Sequence, residues 1–161
     1  MTNLTFQTVH FICRKAPNGW GYMNLSPVKH PMNFAFSSGK WDLKPLEAQS
    51  LTGGLIFLHL TKSTAAHTAG LIYDWKEVEA PEFARTKRII FYFLALADAK
   101  YATWQGDSHL MAHTSKFHRK GETWERDVPI NQRHVGAKSR KLADIPPEFI
   151  RELQAKALIT P

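Results

Sequence analysis

The sequence predicts an α+β domain, a small, mostly antiparallel and twisted β-barrel with peripheral helices. Three observations carry that reading. Short apolar runs of strand character recur between turn-forming stretches, at residues 8–14, 55–60, 71–78 and 87–96. Helical spacing is confined to a short segment before Gly53-Gly54 and to residues 146–158. The regular strand–helix alternation of a doubly wound fold is absent. At 161 residues, 43% apolar and 22% charged, the chain reads as one globular domain over 1–161, large enough for a real core.

In chain order, the first strand is expected at residues 8–14, where Val9, Phe11 and Cys13 alternate with His10, Ile12 and Arg14. Residues 15–38 are rich in Gly, Pro and Asn, with Pro17-Asn18-Gly19 as a turn and a short strand at 32–36. Asp42 is a candidate N-cap for a short helix that tolerates Pro45 in its first turn and stops at Gly53-Gly54. Two strands follow, at 55–60 and 71–78. Residues 79–82 form a loop. The run from Lys87 to Leu96 is apolar on both sides, as expected of a central, covered strand. Residues 98–141 are polar, aromatic and basic, and are expected to hold loops and one short strand. Asp144 then caps a helix opened by Pro146 and Pro147, with Phe149, Ile150, Leu153 and Leu158 as its apolar face.

The net charge is +7 and unevenly spread. Residues 116–141 hold eight basic and three acidic side chains, a net +5, which leaves +2 for the rest of the chain. A near-neutral body with a concentrated basic segment is the electrostatic footprint of a polyanion-binding protein; the plainer alternative is a solvated face. The single cysteine, Cys13, excludes an internal disulfide framework and fits a reducing cytoplasm. Within its apolar run, Cys13 reads as a buried residue rather than a reactive thiol. No signal peptide and no bilayer-spanning apolar stretch is seen, so no membrane association is expected.

Aromatic and histidine residues carry what chemistry there is. Five tryptophans is a high count for this length. Trp20 and Tyr22 flank Gly21 on a glycine-rich turn, a poor position for a core residue. Proteins that hold an unstacked base clamp it between aromatic faces. The alternative is that the indoles cover the barrel, the reading preferred for Trp75. His109 and His113 are spaced i, i+4, which on a helix places them on one face, where Asp107 could complete a metal site. No Glu follows His109 as a zinc-protease motif requires, and no cysteine pair is present. Phosphate-binding loops, dinucleotide fingerprints and Gly-x-Ser-x-Gly turns are missing.

The stretch Gly53–Ser63 is a glycine-led apolar strand ending in His59, Thr61, Lys62 and Ser63. A loop of small residues and a second strand, Gly70-Leu71-Ile72-Tyr73, follow. An acidic proline-containing loop at 79–83 and a long strand at 88–96 complete the order. In this order the chain resembles the PUA-like superfamily, and within it the EVE domain and the related YTH domain, over about residues 8–97. The resemblance is one of pattern, and the basic segment has no counterpart in it.

What the resemblance implies is binding of DNA or RNA at a modified base, methylated or hydroxymethylated, flipped out or single-stranded. Trp20, Tyr22 and Trp41 would stack on the base, and His59, Thr61 and Ser63 would meet its edges. Lys62, Lys116, Arg119, Lys120, Arg133, Lys138, Arg140 and Lys141 would hold phosphates. No cofactor is expected, and a separate effector protein could act beside such a reader. Two rivals remain from the residues alone: a small metal-dependent nuclease or hydrolase using Asp107, His109 and His113, and a small-molecule or protein-binding module with incidental charge.

Overall fold

A computed structural model describes residues 4–19, 21–61, 63–97 and 140–159, together with the backbone of 111–120 and 123–124. The fold is mixed α+β. Eight strands form one sheet: β1 (Leu4–Ile12), β2 (Leu25–Val28), β3 (Ala35–Trp41), β4 (Leu55–His59), β5 (Thr68–Glu79), β6 (Lys87–Ala95), β7 (Met111–Lys120) and β8 (Thr123–Trp124). Their order is β2-β3-β6-β5-β4-β1-β7-β8. Every pairing is antiparallel except β1 with β4, which run parallel from Thr8 opposite Leu55 to Ile12 opposite His59. Among the described residues no ladder joins β2 to β8, so the sheet is open at both edges.

The period-2 alternation of side chains builds a core on each face. In β4, Leu55 and Phe57 join Phe6, Leu71, Leu94, Ile150 and Leu153 in one cluster. Ile56 and Leu58 join Val9, Phe11, Ile72, Phe91 and Phe93 in the other. β4 is buried along its whole length, which explains its unbroken apolar sequence. The first cluster is covered by α2 (Pro147–Ala157) and the second by α1 (Pro45–Ser50). The register of β5 on β6 shifts between Ile72 and Asp74, so that Trp75, like Ile72, packs on the second cluster.

Several local expectations change. β1 begins at Leu4, and the Gly/Pro/Asn-rich segment holds two strands, β2 and β3, not one short strand at 32–36. The α1 N-cap is Lys44, whose backbone N–H donates to Glu47 Oε1 at 3.0 Å. Asp42 instead pairs with Arg85 at 2.9 Å. Asp144 belongs to a 3-10 turn over Leu142–Asp144 and accepts the Lys141 N–H at 2.8 Å, so it does not cap α2. Leu158 follows the end of α2 and is 88% exposed, outside the apolar face. Within 98–141, β7 is a ten-residue strand rather than a short one.

Two glycines are required by geometry. Gly53 has φ +80°, and a Cβ there would stand 2.8 Å from the Gln154 backbone nitrogen of α2. At Gly70, a Cβ would collide with the Phe93 ring and come within 2.6 Å of the Leu94 carbonyl oxygen. Gly53 also donates to Ile72 O at 2.8 Å, tying the end of α1 to β5.

Candidate ligand-binding site at the ends of β1 and β4

Because β1 and β4 are parallel, their carboxyl ends emerge side by side. Cys13 extends the pairing by donating its N–H to His59 O at 2.6 Å. Beyond it, residues 14–19 and 21–23 fold back as the two arms of a hairpin. Met23 N–H donates to Arg14 O at 2.8 Å, Ala16 N–H to Gly21 O at 3.1 Å, and Lys15 bridges Tyr22. Gly19 and Gly21 have positive φ, which is why glycine flanks this tip.

β4 opens into the loop 60–66, which Thr64 organises. Its hydroxyl accepts the Thr61 N–H at 3.0 Å and donates to Thr61 O at 2.9 Å. The Thr61 and Ser63 hydroxyls lie 3.0 Å apart, and both residues are exposed. His67 links this loop to the hairpin. Its ring stacks on Tyr22 with centroids 3.6 Å apart and planes 2° from parallel. Its Nε2–H donates to Cys13 O at 3.0 Å, and its Nδ1 lies 2.9 Å from the Thr68 hydroxyl.

Behind the loop lies a buried histidine pair. His59 Nδ1 sits 2.8 Å from Thr64 O, and a carbonyl only accepts, so the proton is on Nδ1. In the neutral ring Nε2 is then the acceptor, and His10 Nδ1–H donates to it across 2.8 Å. His10 also stacks on Phe57 at 4.7 Å. Burial, with His59 adding, pushes His10 down to about 3. Burial likewise lowers His59 to about 4, against the opposing effect of the Thr64 carbonyl and with a further lowering by His67. Both imidazoles are therefore neutral at pH 7 and offer hydrogen-bonding dipoles rather than charge. Burial pushes the nearby Cys13 thiol up to about 12, so it is no thiolate nucleophile.

Of the residues expected in a base pocket, Tyr22, His59, Thr61 and Ser63 meet at this end of the sheet. His59 faces His10 and the interior with no exposed surface, so it supports the loop from behind instead of presenting an edge to a ligand. Trp41 is tied to β1 and β3. It stacks on Phe11 at 4.0 Å and 7°, and its indole N–H donates to Ser38 Oγ at 3.2 Å. Trp20 and Lys62 lie outside the described residues. Two surface grooves, of about 600 and 410 Å³, occur elsewhere, and neither is lined by Tyr22, His59 or Thr61.

Among the expected phosphate ligands, Lys116, Arg119 and Lys120 fall in β7, with Arg119 opposite Leu4 of β1. Arg133 and Lys138 lie outside the described residues, and Lys141 is exposed. Arg140 differs from its expected role. It is 7% exposed and gives its guanidinium to the carbonyl oxygens of Met32 and Asn33. There it holds a loop in which Asn33 and Phe34 both have positive φ. For the metal alternative, His113 lies in strand β7 opposite Val9, so helical spacing does not apply at that residue. Asp107 and His109 lie outside the described residues. Among the described residues no cluster of three or more His, Cys, Asp or Glu could hold a metal ion.

His10 and His67 were not singled out in the sequence. The available signal was a histidine near the end of each of two apolar strands, Val9-His10 and Leu58-His59, which a parallel pairing brings together. His67 sits in a stretch of small residues without periodicity, and its stacking on Tyr22 depends on tertiary structure alone. Compared with known proteins, the chain matches no family model, no curated protein and no solved structure. Among the described residues no helix is long and apolar enough to cross a membrane.

Proposed function

We propose that this chain is a nucleic-acid-binding module of the EVE-like, PUA-barrel kind that takes up a modified base, flipped or single-stranded, at the carboxyl ends of β1 and β4. The observation that carries the reading is the Tyr22–His67 stack, formed on the same β4–β5 connection that carries the exposed Thr61 and Ser63 hydroxyls. It supplies an aromatic surface next to donor-acceptor groups, the two features by which an extruded base is held. Trp20, adjacent in sequence to the Gly21-Tyr22 tip, is the natural second stacking partner. The mostly antiparallel sheet supports the α+β part of this reading, and closure of the sheet into a barrel belongs to the proposal. Lys62, Lys116, Arg119, Lys120, Arg133, Lys138 and Lys141 contact phosphates, while Arg140 is assigned to the Met32–Asn33 loop. The module acts as a reader beside a separate effector protein.

The test is a panel of short DNA and RNA oligonucleotides, with and without base modifications, against wild type, Tyr22→Ala and Lys141→Ala. Loss of a stacking face is worth about 1–3 kcal/mol per base, so Tyr22→Ala should lower affinity for the preferred modified ligand by about tenfold or more. It should bring that ligand down to the unmodified level. Lys141→Ala should weaken all ligands alike. An equal loss of modified and unmodified ligands in Tyr22→Ala would remove the pocket from the proposal.

A further inference from the structure

A groove of about 410 Å³ lies between α1, α2 and β5, and none of its lining residues belongs to the hairpin or loop described above. That volume is within the range of small-molecule sites. Its walls are the rings of Tyr73, Trp75 and Phe149, and its rim carries one carboxylate, Asp74, and one ammonium, Lys156. Its frame is cross-braced. The Trp75 indole N–H donates to Gln49 Oε1 at 2.7 Å, and the Gln49 amide nitrogen donates to the Lys156 carbonyl, so β5, α1 and α2 are joined through one side chain. His30 closes one side, with its ring 4.6 Å from that of Tyr73.

Thr52 also lines this groove, and it is 5% exposed. Its hydroxyl is buried and has no hydrogen-bond partner among the described residues. A buried hydroxyl left without a partner costs stability, and native structures rarely keep one without a use. The geometry points to a second binding site here, for a small, uncharged, planar heterocycle whose edge carries both a donor and an acceptor. Aromatic walls favour a flat ring. A rim with one charge of each sign favours a neutral ligand that both donates and accepts over an anion or a cation. The Thr52 hydroxyl, able to do both, gains its partner when rotation about χ1 turns it toward the seated ring.

The test uses the full chain with nicotinamide, cytosine and adenine as probes, and benzoate and benzamidine as charged controls of similar shape. Binding is read by titration calorimetry and amide chemical shifts, alongside thermal unfolding. Thr52→Val removes the hydroxyl and keeps the shape. It should leave the unliganded protein at least as stable as wild type and weaken the heterocycle by roughly tenfold. The charged controls should bind more weakly than the heterocycles. Tyr22→Ala should leave the heterocycle-induced amide shifts of Gln49, Thr52 and Trp75 unchanged, which separates this site from the oligonucleotide reading. The inference is overturned if none of the heterocycles binds, if Thr52→Val binds them as wild type does, or if Thr52→Val is less stable, since the hydroxyl would then already have a partner.

Discussion

Trp41 and Tyr22 both pack, half-buried, against the second core cluster, and they differ in ring partner, Phe11 for Trp41 and His67 for Tyr22. Trp41 covers Phe11 and is anchored through Ser38, so its loss is a packing loss. Trp41→Ala should lower unfolding free energy by about 3 kcal/mol in a denaturant titration, with base selectivity of the folded variant retained. The histidine pair supplies a second test. Both rings sit below the ordinary imidazole pKa of 6.5, so the unfolded chain takes up protons first as the pH falls. Their contribution is complete above about pH 6.5 and is lost progressively toward the folded values near 4 and 3. Within that window each histidine steepens the loss by up to about 1.4 kcal/mol per pH unit. His10→Gln should flatten the slope of stability against pH between 6 and 4, and that slope, rather than absolute stability, is the quantity to compare.

Among the elements, the glycine positions are the sharpest points of failure. Gly70→Ala places a methyl group against the Phe93 ring and the Leu94 carbonyl in the middle of the sheet, where backbone cannot retreat. A loss of about 2 kcal/mol or more is expected, read from chemical denaturation. The elements that could be read in the sequence are those that share the central sheet. β4, β5 and β6 are buried by neighbours on both sides or both faces, and their apolar runs record it. β2 escaped notice because it is an edge strand with one partner and a proline, Pro27, that an interior strand would not accept. β7 was expected only as one short strand within 98–141, because Ser115, Lys116, His118 and Arg119 interrupt any apolar period. The site was half legible for the same reason. Gly53–Ser63 shows a strand ending in polar groups, a local pattern, whereas His67 meeting Tyr22 and Arg140 reaching Met32 are contacts between segments that no local pattern records.

Taken whole, the molecule carries a charge imbalance that predicts how it should respond to salt. With a net +5 on residues 116–141 and +2 elsewhere, oligonucleotide affinity should fall by about tenfold or more between 50 and 200 mM salt, as counterion release requires for three or more phosphate contacts. The ratio of modified to unmodified affinity should hold steady, because stacking and hydrogen bonding to a base release no counterions. Filter binding at the two salt concentrations checks both statements.

The position of β1 has a consequence for how the chain reaches this state. β1 is synthesised before either of its neighbours, yet it lies between β4 and β7 and pairs with residues 55–59 and 111–119. Neither partner is a hairpin neighbour, so closing both ladders demands loops of some forty and one hundred residues. During synthesis Phe6, Val9 and Phe11 wait with both strand edges unsatisfied until the later strands emerge. Refolding should therefore be slow for a domain of this size, and its intermediates should be the point at which the chain is most prone to aggregate.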